Sequence, residues 1–211
     1  MLLDASQSQL VLVDYQARLM PAIFEGEAVA RNAVRLGQLA KLLKVPAFAT
    51  EENPSGLGPN LPEVAALVQR TLSKMQFSAV EEGLAEWLRA PAPAAPRGNA
   101  RSLPKHLQKP APAAQEREQI VIAGCEAHVC LCQTALGLLR AGLDVFVVAD
   151  ACGSRRPEDL ALAMQRLAQA GAVIVGAEMA VFEWIGTCEA AGFKAVLGSL
   201  KERGARLAGR G

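Results

Sequence analysis

Residues 120–139 read IVIAGCEAHVCLCQTALGLL, and the reading of this stretch decides the architecture. A run of β-branched and small apolar residues, 120–124, ends at a glycine; after a short turn, apolar residues follow at helical spacing from about 129 to 141. A continuous apolar strand that feeds a helix is the building unit of a parallel sheet buried on both faces. Cys130 falls in the first helical turn, where backbone N–H groups lack partners and the helix dipole favours an anion. Both effects lower a thiol pKa, so Cys130 is expected as a thiolate. Cys125 at the strand end, Cys132 further round the helix, Cys152 and Cys188 fit blander roles. Cys125, His128, Cys130 and Cys132 also have the residue types of a zinc site, but side chains two apart on a helix diverge. An inert, packed thiol is the alternative for Cys130.

Working outward, the same strand-then-helix unit recurs. Residues 9–14, 45–50, 71–75, 144–149 and 172–175 read as further strands; 27–44, 61–69, 78–89, 157–170 and 187–201 read as helices. The fold class is therefore α/β: three layers, α/β/α, around a six-stranded, mainly parallel sheet. A Rossmann-type strand order, 3-2-1-4-5-6, sets the first and fourth strands side by side and directs attention to the crevice beyond their carboxyl ends. Asp14 ends the first strand and would share that crevice with Cys130, where a carboxylate can take a thiol proton and return it to a leaving group. A strand-end aspartate that only caps a turn is the alternative. Lys74 ends the third strand; by itself it reads as a solvated lysine.

Composition sets the outer limits. A chain of 211 residues, 51% hydrophobic and 20% charged, can bury roughly 70% of its unfolded surface around one core without disulfides or metals. A net charge of +1 argues against a nucleic-acid surface. The longest apolar runs, such as 145–149 and 172–175, fall far short of the about 20 residues a membrane span needs. The start, MLLDASQSQL, lacks the pattern of a secretion signal, and five cysteines in such a chain point to reduced thiols and a cytoplasmic location. Residues 1–211 read as a single domain with a Pro/Ala-rich insertion at about 90–115, either an extended surface connection or a lid or subunit-contacting arm. The basic tail, KERGARLAGRG, reads as frayed. Neither GxGxxG, nor a P-loop, nor GxSxG occurs, and the two histidines are His106 and His128.

Taken together, LVLVDYQ, ATEENPSGLGP, SKMQFSA, AGCEAHVCLCQTAL, VVADACGSRRPED and EMAVFEW resemble the isochorismatase-like family of cysteine hydrolases, which includes nicotinamidases and carbamoylsarcosine amidases. The chain most resembles the family's metal-free branch, many of whose members have no assigned substrate. The resemblance implies a triad of Asp14, Lys74 and Cys130. It implies a non-proline cis peptide between Cys125 and Glu126, and an oxyanion hole made by the N–H groups of Glu126 and Cys130. Nicotinamidases carry an Asp-x-His metal motif after the second strand; Glu51, Glu52 and Asn53 stand there in this chain, so neither metal nor cofactor is expected. Vinyl-ether-cleaving isochorismatases lack the cysteine, so Cys130 argues against that reaction. The implied activity is hydrolysis of a small amide-like substrate through a thioester acyl-enzyme. Tyr15, Phe77 and His128 are candidate walls of the substrate pocket, and Glu126 pairs either with His128 or with the loop at residues 56–58. A homo-oligomer is expected, with no nucleic-acid or membrane partner. A non-catalytic interaction protein and a redox-sensing thiol, resolved by Cys125 or Cys132, are the competing classes.

Overall fold

The computed structural model describes residues 1–89 and 117–208. Six parallel strands, β1 (Ser8–Val13), β2 (Ala47–Glu52), β3 (Arg70–Lys74), β4 (Gln119–Gly124), β5 (Asp144–Val148) and β6 (Val173–Val175), form one sheet in the order β3-β2-β1-β4-β5-β6. Every residue of β1 and β4 is buried, as the continuous apolar runs require of central strands covered on both faces. The edge strand β3 is mostly exposed until Lys74.

Around the sheet lie α1 (Gly26–Leu42), α2 (Pro54–Leu57), α3 (Pro62–Ala65), α4 (Leu84–Arg89), α5 (Cys132–Arg140), α6 (Pro157–Gln169), α7 (Ala177–Ile185) and α8 (Phe193–Ala208). Helix α1 packs with α3 and α7, and α7 with α8; α5 packs with α6 and with the 3-10 turn Ala79–Glu82 ahead of α4. The two groups cover opposite sides of the sheet, the three-layer arrangement expected. No helix among the described residues is long and apolar enough to cross a membrane.

Several boundaries differ from the sequence reading, each for a local reason. The helix expected at 187–201 is preceded by α7, whose buried stripe of Ala177, Ala180, Val181, Trp184 and Ile185 is blurred in the sequence by the exposed apolar residues Met179 and Phe182. Gly186, at φ 70°, ends α7, and the last helix starts only at Phe193. Gly83, at φ 86°, divides the stretch 78–89 into the 3-10 turn and α4. The helix expected at 61–69 is a single turn, α3. The tail expected to fray continues α8 through Ala208. The insertion at about 90–115 lies outside the described residues.

Two backbone features aim the strand ends. Val13 pairs with Gly124, and a Cβ at Gly124 would sit 2.5 Å from both the Val13 Cβ and its carbonyl oxygen. Glycine is thus required for β1 and β4 to run this close to their ends. Asp14 then takes the left-handed conformation, φ 56°, which turns the chain out of the sheet and leaves its carboxylate in the crevice; among non-glycine residues Asp and Asn tolerate this best.

Candidate active site

The carboxyl ends of three adjacent strands and the turn after a fourth deliver four polar side chains to one place. Asp14 follows β1, Glu52 ends β2, Lys74 ends β3, and Cys130 lies in a π-helical turn, Ala127–Leu131, that leads from β4 into α5. The helical backbone therefore begins at Ala127, two residues before the start expected at Val129.

Lys74 is the hub. Its Nζ lies 2.8 Å from Asp14 Oδ2, 2.7 Å from Glu52 Oε2 and 3.3 Å from the Phe77 carbonyl oxygen, one acceptor for each N–H. The side chain is buried, so it is not the solvated lysine that its sequence context suggests. Burial pulls the ammonium pKa down, but Asp14, Cys130 and Glu52 together raise it above its ordinary value. Asp14, itself fully buried, receives a 2.6 Å hydrogen bond on Oδ1 from Thr50 Oγ1. Gln16 fastens the end of β2 by donating to the carbonyls of Glu52 (2.9 Å) and Gly58 (2.6 Å) and accepting from the Glu52 N–H (2.9 Å).

Cys130 keeps 7% of its surface exposed and Glu52 8%. A carboxylate oxygen of Asp14, one of Glu52 and the Cys130 Sγ lie within 4.8 Å of one another. The thiolate expected from the helix terminus is corrected here: burial first, then the Asp14 charge, push the Cys130 thiol up to about 12, against the lowering influence of Lys74. The resting group is a protonated thiol. The three donors also fail as a metal site, because the Lys74 ammonium already occupies the position between the two carboxylates. The zinc set of Cys125, His128, Cys130 and Cys132 is not brought together among the described residues.

The Cys125–Glu126 peptide is cis. Around it, the backbone bonds run from Ala127 N–H to Gly153 O (2.7 Å), and from Val129 and Leu131 N–H to Glu126 O (3.1 and 3.3 Å).

The proposed pocket walls are placed differently. Tyr15 is wholly buried, with its hydroxyl donating to the Ala151 carbonyl at 2.5 Å. Beyond the left-handed turn at Asp14, the Tyr15 side chain is buried in the core and is no pocket wall. Phe77 lends its carbonyl to Lys74 while its ring is exposed. His128 Nδ1 lies 3.0 Å from Ser154 Oγ, and Nε2 lies 4.0 Å from Asp159 Oδ2, so the ring is engaged on the α6 side. Glu126 accepts from the Arg155 N–H and Nε, at 3.2 and 3.0 Å, rather than from the loop at 56–58. Sequence reasoning missed Glu52 as a site residue. The reasoning that singled out Asp14, a charged residue closing a buried strand, applies equally to Glu52 once β2 is extended from 50 to 52.

The fold and this set of strand ends define the isochorismatase-like class, a class of hydrolases. The Isochorismatase domain family matches residues 102–179. The chain is 33% identical over 195 residues to isochorismatase domain-containing protein 2A of Mus musculus, covering 92% of this chain and 83% of that one. It belongs to the isochorismatase domain family. Among solved structures, it is similar to the MAR1 ribonuclease of Caenorhabditis elegans (TM-score 0.78, 25% identity, 94% of this chain and 92% of that one). The YcaC protein of Escherichia coli, described as an octameric hydrolase of unknown specificity, shares the fold (TM-score 0.79, 24% identity, 99% and 96%).

Proposed function

We propose that the chain, acting over residues 1–211 as one domain, is a cysteine-dependent hydrolase of small amide-like C–N substrates, with Asp14, Lys74 and Cys130 as its catalytic triad. The observation that carries this reading is the meeting of a thiol, a carboxylate and a buried ammonium from three separate parts of the chain. With a thiol pKa of about 12, only about one molecule in 10⁵ is ionised at pH 7, so attack needs a base in contact. Among the described residues Asp14 Oδ2 is buried with no hydrogen-bond donor assigned to it beyond the Lys74 ion pair, and Asp14 lies in hydrogen-bonding contact with the thiol, which suits it to take that proton as Sγ bonds the substrate carbonyl carbon. The oxygen of the tetrahedral intermediate is met by the N–H groups of Glu126 and Cys130. Asp14 then gives its proton to the departing amine, leaving a thioester, and removes one from the water that hydrolyses it. Lys74 holds Asp14 in place and balances its charge throughout. Two oxyanion donors at about 3 kcal/mol each, and orientation at about 7 kcal/mol or more, outweigh anything thiol acidity contributes.

The octameric neighbour supports a homo-oligomeric state for this chain as well, and the absence of membrane-crossing helices among the described residues is compatible with a cytoplasmic location. The ribonuclease description of the Caenorhabditis elegans neighbour favours a second reading, cleavage of a phosphodiester, which the two carboxylates around Lys74 disfavour by repelling phosphate. A screen of small primary amides and ureido compounds, read as ammonia release, tests the proposal. Turnover by the wild type that Cys130→Ala loses is the expected result, and equal turnover by both overturns it.

A further inference from the structure

We infer that Glu52 makes the crevice select neutral or cationic carbonyl compounds rich in N–H groups, such as carboxamides and ureas, and exclude those carrying a carboxylate beside the reacting carbon. The inference rests on the reading of Cys130 as the reacting group and narrows its substrate class. Glu52 Oε2 is taken by Lys74, whereas Oε1 carries no hydrogen bond among the described residues and is not one of the buried atoms left without a partner. One oxygen of the Glu52 carboxylate lies within 4.8 Å of the Cys130 Sγ, so a carboxylate with an unfilled acceptor stands beside whatever lies against the thiol. An amide N–H satisfies that acceptor. A carboxylate oxygen does not, and meets like charge instead.

The charge balance points the same way. The groups that bear most on the Cys130 thiol are Asp14, Lys74 and Glu52, two carboxylates against one ammonium, so the crevice holds one negative charge in excess. Lys74 cannot serve as a carboxylate receptor, because Asp14, Glu52 and the Phe77 carbonyl already use its three N–H groups. Burial of the whole cluster keeps water from screening the repulsion.

Iodoacetamide and iodoacetate test this without any turnover. The two differ in charge and in the N–H group but hardly in shape. With either, the thiol sulfur displaces iodide, a C–S bond forms, and the thiol proton is released. Cys188 is exposed and supplies an internal reference for the intrinsic reactivity of each reagent. Labelling at residues 130 and 188 is followed by peptide mass over time. Relative to Cys188, the wild type is expected to prefer iodoacetamide at Cys130 by at least about tenfold. Glu52→Gln is expected to reduce that preference to about threefold or less, while Glu52→Asp, which keeps the charge, preserves it. A wild-type ratio near one, or an unchanged ratio in a folded Glu52→Gln protein, overturns the inference. The wild-type ratio and Glu52→Asp carry the test should Glu52→Gln fail to fold. Selectivity without hydrolysis of any amide leaves the inference standing and removes the hydrolase reading; hydrolysis of carboxylate-bearing and neutral amides at equal kcat/KM does the reverse.

Discussion

The groove along α1 and the crevice at the carboxyl ends of β1 to β4 are two recesses of unlike chemistry. The groove has a volume of about 630 Å³ and is lined in part by Met20, Pro21, Ala30, Val34 and Leu61. The ion pair on its wall is solvated: Arg31 and Glu27 lie 3.4 Å apart with both side chains largely exposed, an arrangement that contributes little. In the crevice the polar groups are buried, and Thr50, Asp14, Glu52, Lys74 and Phe77 form a chain of contacts no longer than 3.3 Å. A parallel sheet explains the contrast, since every strand end in it points the same way and polar residues closing adjacent strands converge in a low-dielectric space. A groove on the outer face of a helix gathers side chains that water already satisfies.

The sharpest way to test that contrast is to remove the hub. Lys74→Met leaves Asp14 and Glu52 as unpaired buried carboxylates, so unfolding free energy measured in denaturant should fall by about 3–5 kcal/mol, with amide turnover lost. Stability unchanged within error would show that the carboxylates find other partners.

Alkaline pH probes the thiols next. Folded, Cys130 and Cys152 hold their protons up to about 12, whereas an unperturbed thiol loses its proton near the ordinary value of 9.0. Between those values the folded chain binds more protons than the unfolded one, so stability falls as pH rises, by about 1.4 kcal/mol per pH unit for each thiol. Below pH 8 neither contributes a slope. Cys130→Ser should make the alkaline limb of a stability-versus-pH curve shallower by one thiol's share; an unaltered slope would mean that Cys130 ionises at its ordinary value.

Smaller still is Thr50→Val, which removes the 2.6 Å hydrogen bond to Asp14 but keeps the shape. A loss of about 1–2 kcal/mol, or roughly tenfold in kcat/KM, is expected. At the bottom of the scale, Val34→Arg in the groove should leave turnover and Cys130 alkylation as they are. A change at Val34 that matched Thr50→Val would erase the distinction between the two regions.

What the sequence made legible follows the same division. The strand order and the meeting of Asp14 with Cys130 are readable because β1 and β4 are continuously apolar and because a parallel sheet aligns its ends, whereas Lys74, on an exposed edge strand, enters only through the family resemblance. Glu52 lies beyond a strand end expected two residues too early, and the stripe of α7 is masked by Met179 and Phe182, apolar residues on its exposed side. The ionisation state of Cys130 was misjudged for a different reason. The helix terminus is a local feature of the sequence, whereas burial and the neighbouring carboxylate come from residues more than a hundred positions away. Tyr15 was misplaced because its neighbour Asp14 sets which way it faces, through a left-handed backbone turn that no residue pattern announces.

The account stands on Cys130 forming a bond to substrate with Asp14 beside it. Intact-mass measurement of protein quenched during hydrolysis of an amide substrate reads that bond directly. The wild type should gain the mass of the acyl group, mapped to residue 130, and Cys130→Ala should gain none and turn over nothing. Steady hydrolysis by Cys130→Ala, or an adduct mapped to another residue, would contradict it.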